Sequence, residues 1–215
     1  MVNMQRTYLA FQHNCRLSTL RATVTASLFK QAKDDDHVVI TDSTIFHPQG
    51  GGQPSDVGAM TIELGARFDV HMVRMSAVAQ GEVLHFGRFA DASSVFQPGE
   101  TVTQSIDAEK RLLYSRYHTA GHSEGFDETK ASHFPDSASC EFQGLIDSKW
   151  KDLIQQRVDE YIEKDMAKFR VVKIVGAETY PCGGTHVQST RQCGKTMLKK
   201  ISRAKGMSKV GYFLA

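Results

Sequence analysis

No stretch of this sequence approaches the ~18 consecutive apolar residues of a membrane-spanning helix, so no membrane span is expected. Residues 1–24 mix Gln, Arg, His, Asn and Cys with isolated apolar residues and lack the apolar core of a secretory signal. Cysteine is sparse. Four in 215 residues make no disulfide framework, which points to a reducing, cytoplasmic compartment. There is no internal repeat and no low-complexity tract. The length suits one large domain or two modest ones, either able to bury a core. Acidic residues are missing from one place in particular. Lys195, Lys199, Lys200, Arg203, Lys205 and Lys209 follow one another with no Asp or Glu between them, although the formal net charge of the chain is only +2. By itself such a stripe reads first as the solvated face of a hairpin, with phosphate contact as the second reading.

What is present divides near residue 104. The first part reads as short strands with Gly/Pro punctuation: Arg21 to Leu28, Val38 to Thr41, the alternating Phe68 to Val73, and Val83 to Phe86. Ile45-Phe46 leads into a turn segment running to Asp56. This pattern predicts a small β-barrel or sandwich. From Asp107, a plausible N-cap, the spacing of Leu113, Tyr117 and Ala120 predicts a helix to His122. A second apolar stripe (Ile154, Val158, Tyr161, Ile162, Met166, Phe169) predicts a helix from Lys151 to Phe169. Arg170 to Val175 reads as a strand, and Met197 to Ile201 with Val210 to Leu214 as a hairpin. The expected fold class is α+β: an N-terminal β-barrel domain at 1–104, then an antiparallel sheet with helices at 105–215.

Two short motifs carry chemistry. His118-Thr-Ala-Gly-His122 and Cys182-Gly-Gly-Thr-His186 each offer two metal donors at i and i+4. On a helix, residues four apart lie on one face, so His118 and His122 can grip an ion from one side. Gly183 and Gly184 make a helix improbable around Cys182, at ~1 kcal/mol each, and a tight loop entered through Pro181 is expected instead. Together the four make an N3S set of the kind zinc prefers. A zinc here is either structural, with a closed shell of four, or catalytic, with a position left to activate water or polarise a carbonyl. Spacing alone leaves both open.

Those two motifs resemble the zinc site of free-standing alanyl-tRNA editing proteins. The same site occurs in the editing domain of alanyl-tRNA synthetase, and a related one in threonyl-tRNA synthetase. Thr44-Ile-Phe-His-Pro-Gln-Gly-Gly-Gly-Gln-Pro-Ser-Asp-Val-Gly58 is similar to a third stretch of that family, with His47 where an aromatic residue is usual. Arg111-Leu-Leu-Tyr-Ser-Arg116, His133-Phe-Pro-Asp136 and Arg170-Val-Val-Lys-Ile-Val-Gly176 fall in the family's order. The resemblance covers essentially the whole chain. It departs after His122, where Ser123-Glu-Gly-Phe126 replaces the usual apolar continuation and only ten residues precede His133.

The resemblance implies a β-rich N-terminal domain, an editing domain, and zinc-dependent hydrolysis of the ester joining a wrong amino acid, chiefly serine, to alanine tRNA. No class II synthetase catalytic core is visible. An apolar alanine pocket rejects an added hydroxyl only ~100-fold, whereas a second site that hydrogen-bonds the hydroxyl selects serine. By resemblance, His118, His122, Cys182 and His186 hold Zn2+, and Thr44, Gln53 and Cys182 are the catalytic candidates, Thr44 reading the hydroxyl. Gln53 and Asp56 border the pocket or brace the loop. Gly50, Gly51 and Gly52, with Lys199, Lys200 and Arg203, are candidate tRNA contacts. Two alternatives stand beside this: a zinc-stabilised nucleic-acid-binding module without hydrolytic activity, and an editing enzyme of another amino-acid preference.

Overall fold

The computed structural model describes residues 6–29, 36–63, 65–122, 128–166, 172–173, 179–180 and 182–215. The chain forms two compact units. One comprises residues 1–50 and 55–111; the other comprises 51–54 and 112–215. The expected boundary lay at 104/105. The compact units divide instead at Arg111/Leu112, and four residues of the Gly-rich segment join the second unit.

The first unit is a closed six-stranded antiparallel barrel. Its strands are β1 (Thr19–Phe29), β2 (His37–Thr41), β3 (Gly58–Thr61), β4 (Arg67–Met75), β5 (Val83–Phe89) and β6 (Thr101–Ile106). They close in the order β1-β2-β5-β4-β3-β6, with β6 returning to β1. Alternation explains the inside. Phe68 and Val70 of β4 point inward, and an irregularity in register between Val70 and Met72 then lets Val73 also face the core. Val83, His85 and Phe89 of β5 follow the same period of two. Phe46, Met60, Phe96 and Val102 complete the core. A barrel leaves no open sheet edge.

Helix α1 (Ala108–Gly121) follows. The Asp107 carboxylate accepts the Lys110 N–H at 2.9 Å, as an N-cap does. The second unit carries a four-stranded antiparallel sheet. Its strands are β7 (Glu128–Ser132), β8 (Ser139–Gln143), β9 (Thr196–Ala204) and β10 (Met207–Leu214), in the order β9-β10-β8-β7. Helix α2 (Lys151–Glu163) buries Ile154, Val158 and Tyr161. Tyr117 and Ala120 of α1 join Cys140, Phe142, Leu198, Val210 and Tyr212 in this unit's core.

Two expectations need adjusting. The apolar stripe predicts α2 to Phe169, yet the helix ends at Glu163. Asp165 adopts a left-handed φ of 49°, and Met166 pairs with Thr190 instead, donating to its hydroxyl and accepting from its N–H. Residues 167–170 lie outside the described residues. Of the predicted strand at 170–175, the described part is a two-residue ladder, Val172–Lys173 with Thr179–Tyr180. Pro181 and residues 123–127 also lie outside the described residues. No helix among the described residues is long and apolar enough to cross a membrane.

Candidate metal centre

The donor atoms of His118, His122, Cys182 and His186 all lie within 4.8 Å of one another. Helix α1 supplies His118 in its last turn, and His122 follows directly, its N–H returning to the His118 carbonyl at 3.4 Å. Cys182 to His186 is an irregular loop, as its glycines led one to expect. There the Gly184 N–H points at the Cys182 sulfur at 3.4 Å. The Gly184 position admits no side chain: a Cβ there would stand 2.0 Å from His118 Cε1 and 2.8 Å from Gln53 Oε1.

Hydrogen bonds fix which nitrogen His118 presents. The Thr185 backbone N–H donates to Gln53 Oε1 at 2.9 Å, so that atom is an acceptor. His118 Nδ1, 2.6 Å from the same oxygen, must therefore carry its proton. His118 Nε2 is left with the lone pair, and it lies 3.2 Å from Cys182 Sγ. Gln53 Nε2 donates to the Thr185 hydroxyl at 2.7 Å, and that hydroxyl also contacts Ser115 at 2.7 Å. This is the outer support that metal-binding histidines require. The Thr119 hydroxyl lies 3.2 Å from His186 Nδ1 and accepts the Val187 N–H at 3.2 Å, holding the second imidazole by the loop that carries it.

In a tetrahedral zinc shell, nitrogen at ~2.0 Å and sulfur at ~2.3 Å stand roughly 3.3–3.8 Å from one another. An N3S set gathered within 4.8 Å, with His118 locked in the ligating tautomer, fits zinc.

A fourth imidazole adjoins the cluster. His133 is fully buried and stacks on His118, with ring centroids 4.4 Å apart. Tyr212 donates its hydroxyl proton to the Tyr117 carbonyl at 3.0 Å, so it accepts from His133 Nδ1 at 2.7 Å. Sequence spacing assigns His133 and Tyr212 no place beside the cluster, because 79 residues separate them. The only hint was the position of His133-Phe-Pro-Asp136 in the family's order.

The other candidates are placed as follows. Gln53 belongs to the metal-centre unit and orients His118. Gly52, at φ 76°, has its Cβ direction blocked by the Ala131 carbonyl at 2.5 Å, and its own carbonyl accepts the His133 N–H at 2.9 Å. Gly50 and Gly51 are exposed. Thr44 belongs to the barrel unit and is fully buried. Its hydroxyl lies 2.8 Å from His85 Nε2 and accepts the Phe46 N–H at 3.0 Å. Burial, partly opposed by the Val39 carbonyl, lowers the pKa of His85 to about 4. The neutral ring uses its Nδ1 proton on Val39 at 2.9 Å, so Nε2 accepts from Thr44. Asp56 braces the loop: both its oxygens meet Arg111, and one accepts the His47 N–H at 2.5 Å. Lys199, Lys200 and Arg203 are exposed on β9.

This fold and this donor set have known counterparts. A family described as tRNA synthetases class II (A) matches residues 2–110, half of the chain. The Threonyl and Alanyl tRNA synthetase second additional domain matches residues 169–210, which include Cys182 and His186. The chain belongs to the class II (A) tRNA synthetase family. The chain is 30% identical to the alanyl-tRNA editing protein AlaX-L of Pyrococcus horikoshii, over 80% of this chain and 50% of that protein. It is 26% identical to AlaX-M of Methanosarcina barkeri, over 93% of this chain and 95% of that protein. It is also 26% identical to an alanine–tRNA ligase of Methanosphaera stadtmanae, over 98% of this chain and 27% of the ligase. The chain thus spans half the length of the Pyrococcus protein and about a quarter of the ligase.

Proposed function

We propose that this chain is a trans-acting aminoacyl-tRNA editing hydrolase that deacylates mischarged alanine tRNA, chiefly the seryl form, using zinc held by His118, His122, Cys182 and His186. The observation that carries the reading is the convergence of those four donors within 4.8 Å, in a chain whose relatives include alanyl-tRNA editing proteins. A bound zinc would supply Lewis acidity toward the aminoacyl group. Water adds to the ester carbonyl carbon, the bond to the ribose oxygen breaks, and free amino acid and tRNA are released. Gln53 keeps His118 in the tautomer that offers Nε2. Thr44 reads the serine hydroxyl. Its proton is committed to His85 and one lone pair to Phe46, so one lone pair remains, and an acceptor of that kind discriminates serine from alanine.

The same donor set also fits a zinc-stabilised nucleic-acid-binding module without hydrolytic activity, since closed four-ligand shells are typical of structural zinc. One experiment separates the two. Deacylation of seryl- and alanyl-charged alanine tRNA is followed with and without a zinc chelator. Chelator-sensitive release of serine with alanine spared is the expected result. Absence of release from either, with one metal per chain, would favour the binder. Thr44→Val should lose serine selectivity by at least tenfold.

A further inference from the structure

The sheet of the second unit has one apolar and one polar face. Leu198 pairs with Tyr212, Ile201 with Val210, and Cys140 with Val210, and all of these side chains enter the core. Leu198 and Ile201 are three residues apart. Strict alternation would send them to opposite faces. The register shift between Leu198 and Ile201 resolves this by inserting an extra residue in β9, and both Lys199 and Lys200 are thereby left exposed. The next outward row runs straight across the sheet: Ser202 opposite Lys209, Lys209 opposite Glu141, Glu141 opposite Lys130. Lys209 and Glu141 form an ion pair at 3.7 Å. Among the described residues, Lys130, Lys199 and Lys200 form no salt bridge. Phe213 lies at the end of this face, with Lys199 Nζ 5.6 Å from its ring centroid. Arg203 has the parity of Ile201 and does not share the face.

We infer that the outward face of β9-β10-β8-β7 is a docking surface for the phosphate backbone of tRNA. This rests on the proposed editing function for the choice of RNA, and on charge complementarity for the surface itself. Among the described side chains, four lysines against one glutamate lie across three strand spacings, about 14 Å. Open β faces with basic side chains and an aromatic platform are a recurring RNA-binding arrangement. The backbone contact it provides is independent of sequence, and it should be read out by salt.

The test is equilibrium binding of uncharged alanine tRNA between about 50 and 200 mM salt. Wild type is compared with Lys130→Ala/Lys199→Ala/Lys200→Ala and with a control of equal charge loss, Lys110→Ala/Lys149→Ala/Lys164→Ala, folding being verified by circular dichroism. All six lysines are exposed. The face variant should lose roughly 10- to 100-fold in affinity, and its log K against log salt slope should fall by about 3, ~1 per phosphate contact. The control should change far less. An unchanged slope in the face variant, or an equal fall in the control, overturns the inference. So does binding to phosphatidylserine vesicles that the face variant loses while tRNA affinity stays unaltered. The readout uses no deacylation, so failure of the editing reading leaves it standing or falling on its own.

Discussion

Gly184 and His85 show how single residues decide this protein's chemistry. A methyl group at Gly184 would overlap the His118 ring, with 2.0 Å to Cε1 and 2.3 Å to Nδ1. Both contacts are far inside van der Waals separation, so His118 must leave its place against Gln53. Gly184→Ala is expected to lower zinc affinity by at least tenfold, comparable to removal of an outer-shell support. Metal content after dialysis checks it, and full retention would mean the loop moves at no cost. His85 makes a second, independent prediction. Its folded pKa is about 4 against an ordinary 6.5. Between those values the unfolded chain takes a proton that the folded chain refuses, so stability rises with pH across this window. The contribution is complete above pH 6.5 and is lost as pH falls toward 4, on the order of 3 kcal/mol in all. Protonation would also turn Nε2 from acceptor to donor and reverse its bond with Thr44, occupying the lone pair left on that hydroxyl. Urea unfolding of wild type and His85→Gln at several pH values should show their stability difference narrowing by about that amount toward pH 4. A pH-independent difference would refute the assignment.

At the scale of elements, the Gly-rich segment and helix α1 are held by one buried ion pair. Arg111 in the first turn of α1 meets Asp56, with side chains 6% and 0% exposed. Arg111 also donates to the Cys15 carbonyl at 3.0 Å and the Ile45 carbonyl at 2.6 Å. Removing one partner of such a pair leaves a charge buried without its counter-ion. Asp56→Ala should destabilise the chain by roughly 3–5 kcal/mol, measured by denaturant midpoint; a loss below ~1 kcal/mol would mean that the site admits water. The elements also show where sequence periodicity stops being informative. The spacing of Leu113, Tyr117 and Ala120 located α1, and Asp107 its start, because helix period and capping are local. The apolar stripe of α2 ran on to Phe169, while the helix stopped at Glu163. The competing bonds of Met166 to Thr190 lie 24 residues away in sequence and leave no local trace. The bulge in β9 was equally hidden, since Leu-Lys-Lys-Ile reads as a helical spacing as readily as a kinked strand.

For the molecule as a whole, two compact units each hold their own apolar core, and all four candidate metal donors belong to the second. Chelation should therefore weaken that unit selectively, since structural metal binding contributes directly to folding free energy. Hydrogen exchange followed by mass spectrometry should show protection lost in peptides covering 112–122 and 182–215, with barrel peptides from 37–41 and 83–89 unchanged. Uniform loss in both would mean a single cooperative block. The sequence by itself determined the α+β class, the four candidate donors and the basic stripe, because each is a matter of composition or short-range period. Only the tertiary structure decided that Gln53 rather than a nearer residue orients His118, that His133 stacks on the cluster, that Thr44 is paired with His85, and which lysines share a face. Thr44 and His85 are 41 positions apart in the chain, and Gln53 and His118 are 65 apart. Such relations arise from sheet register and buried hydrogen-bond satisfaction, neither of which is encoded within any one local segment.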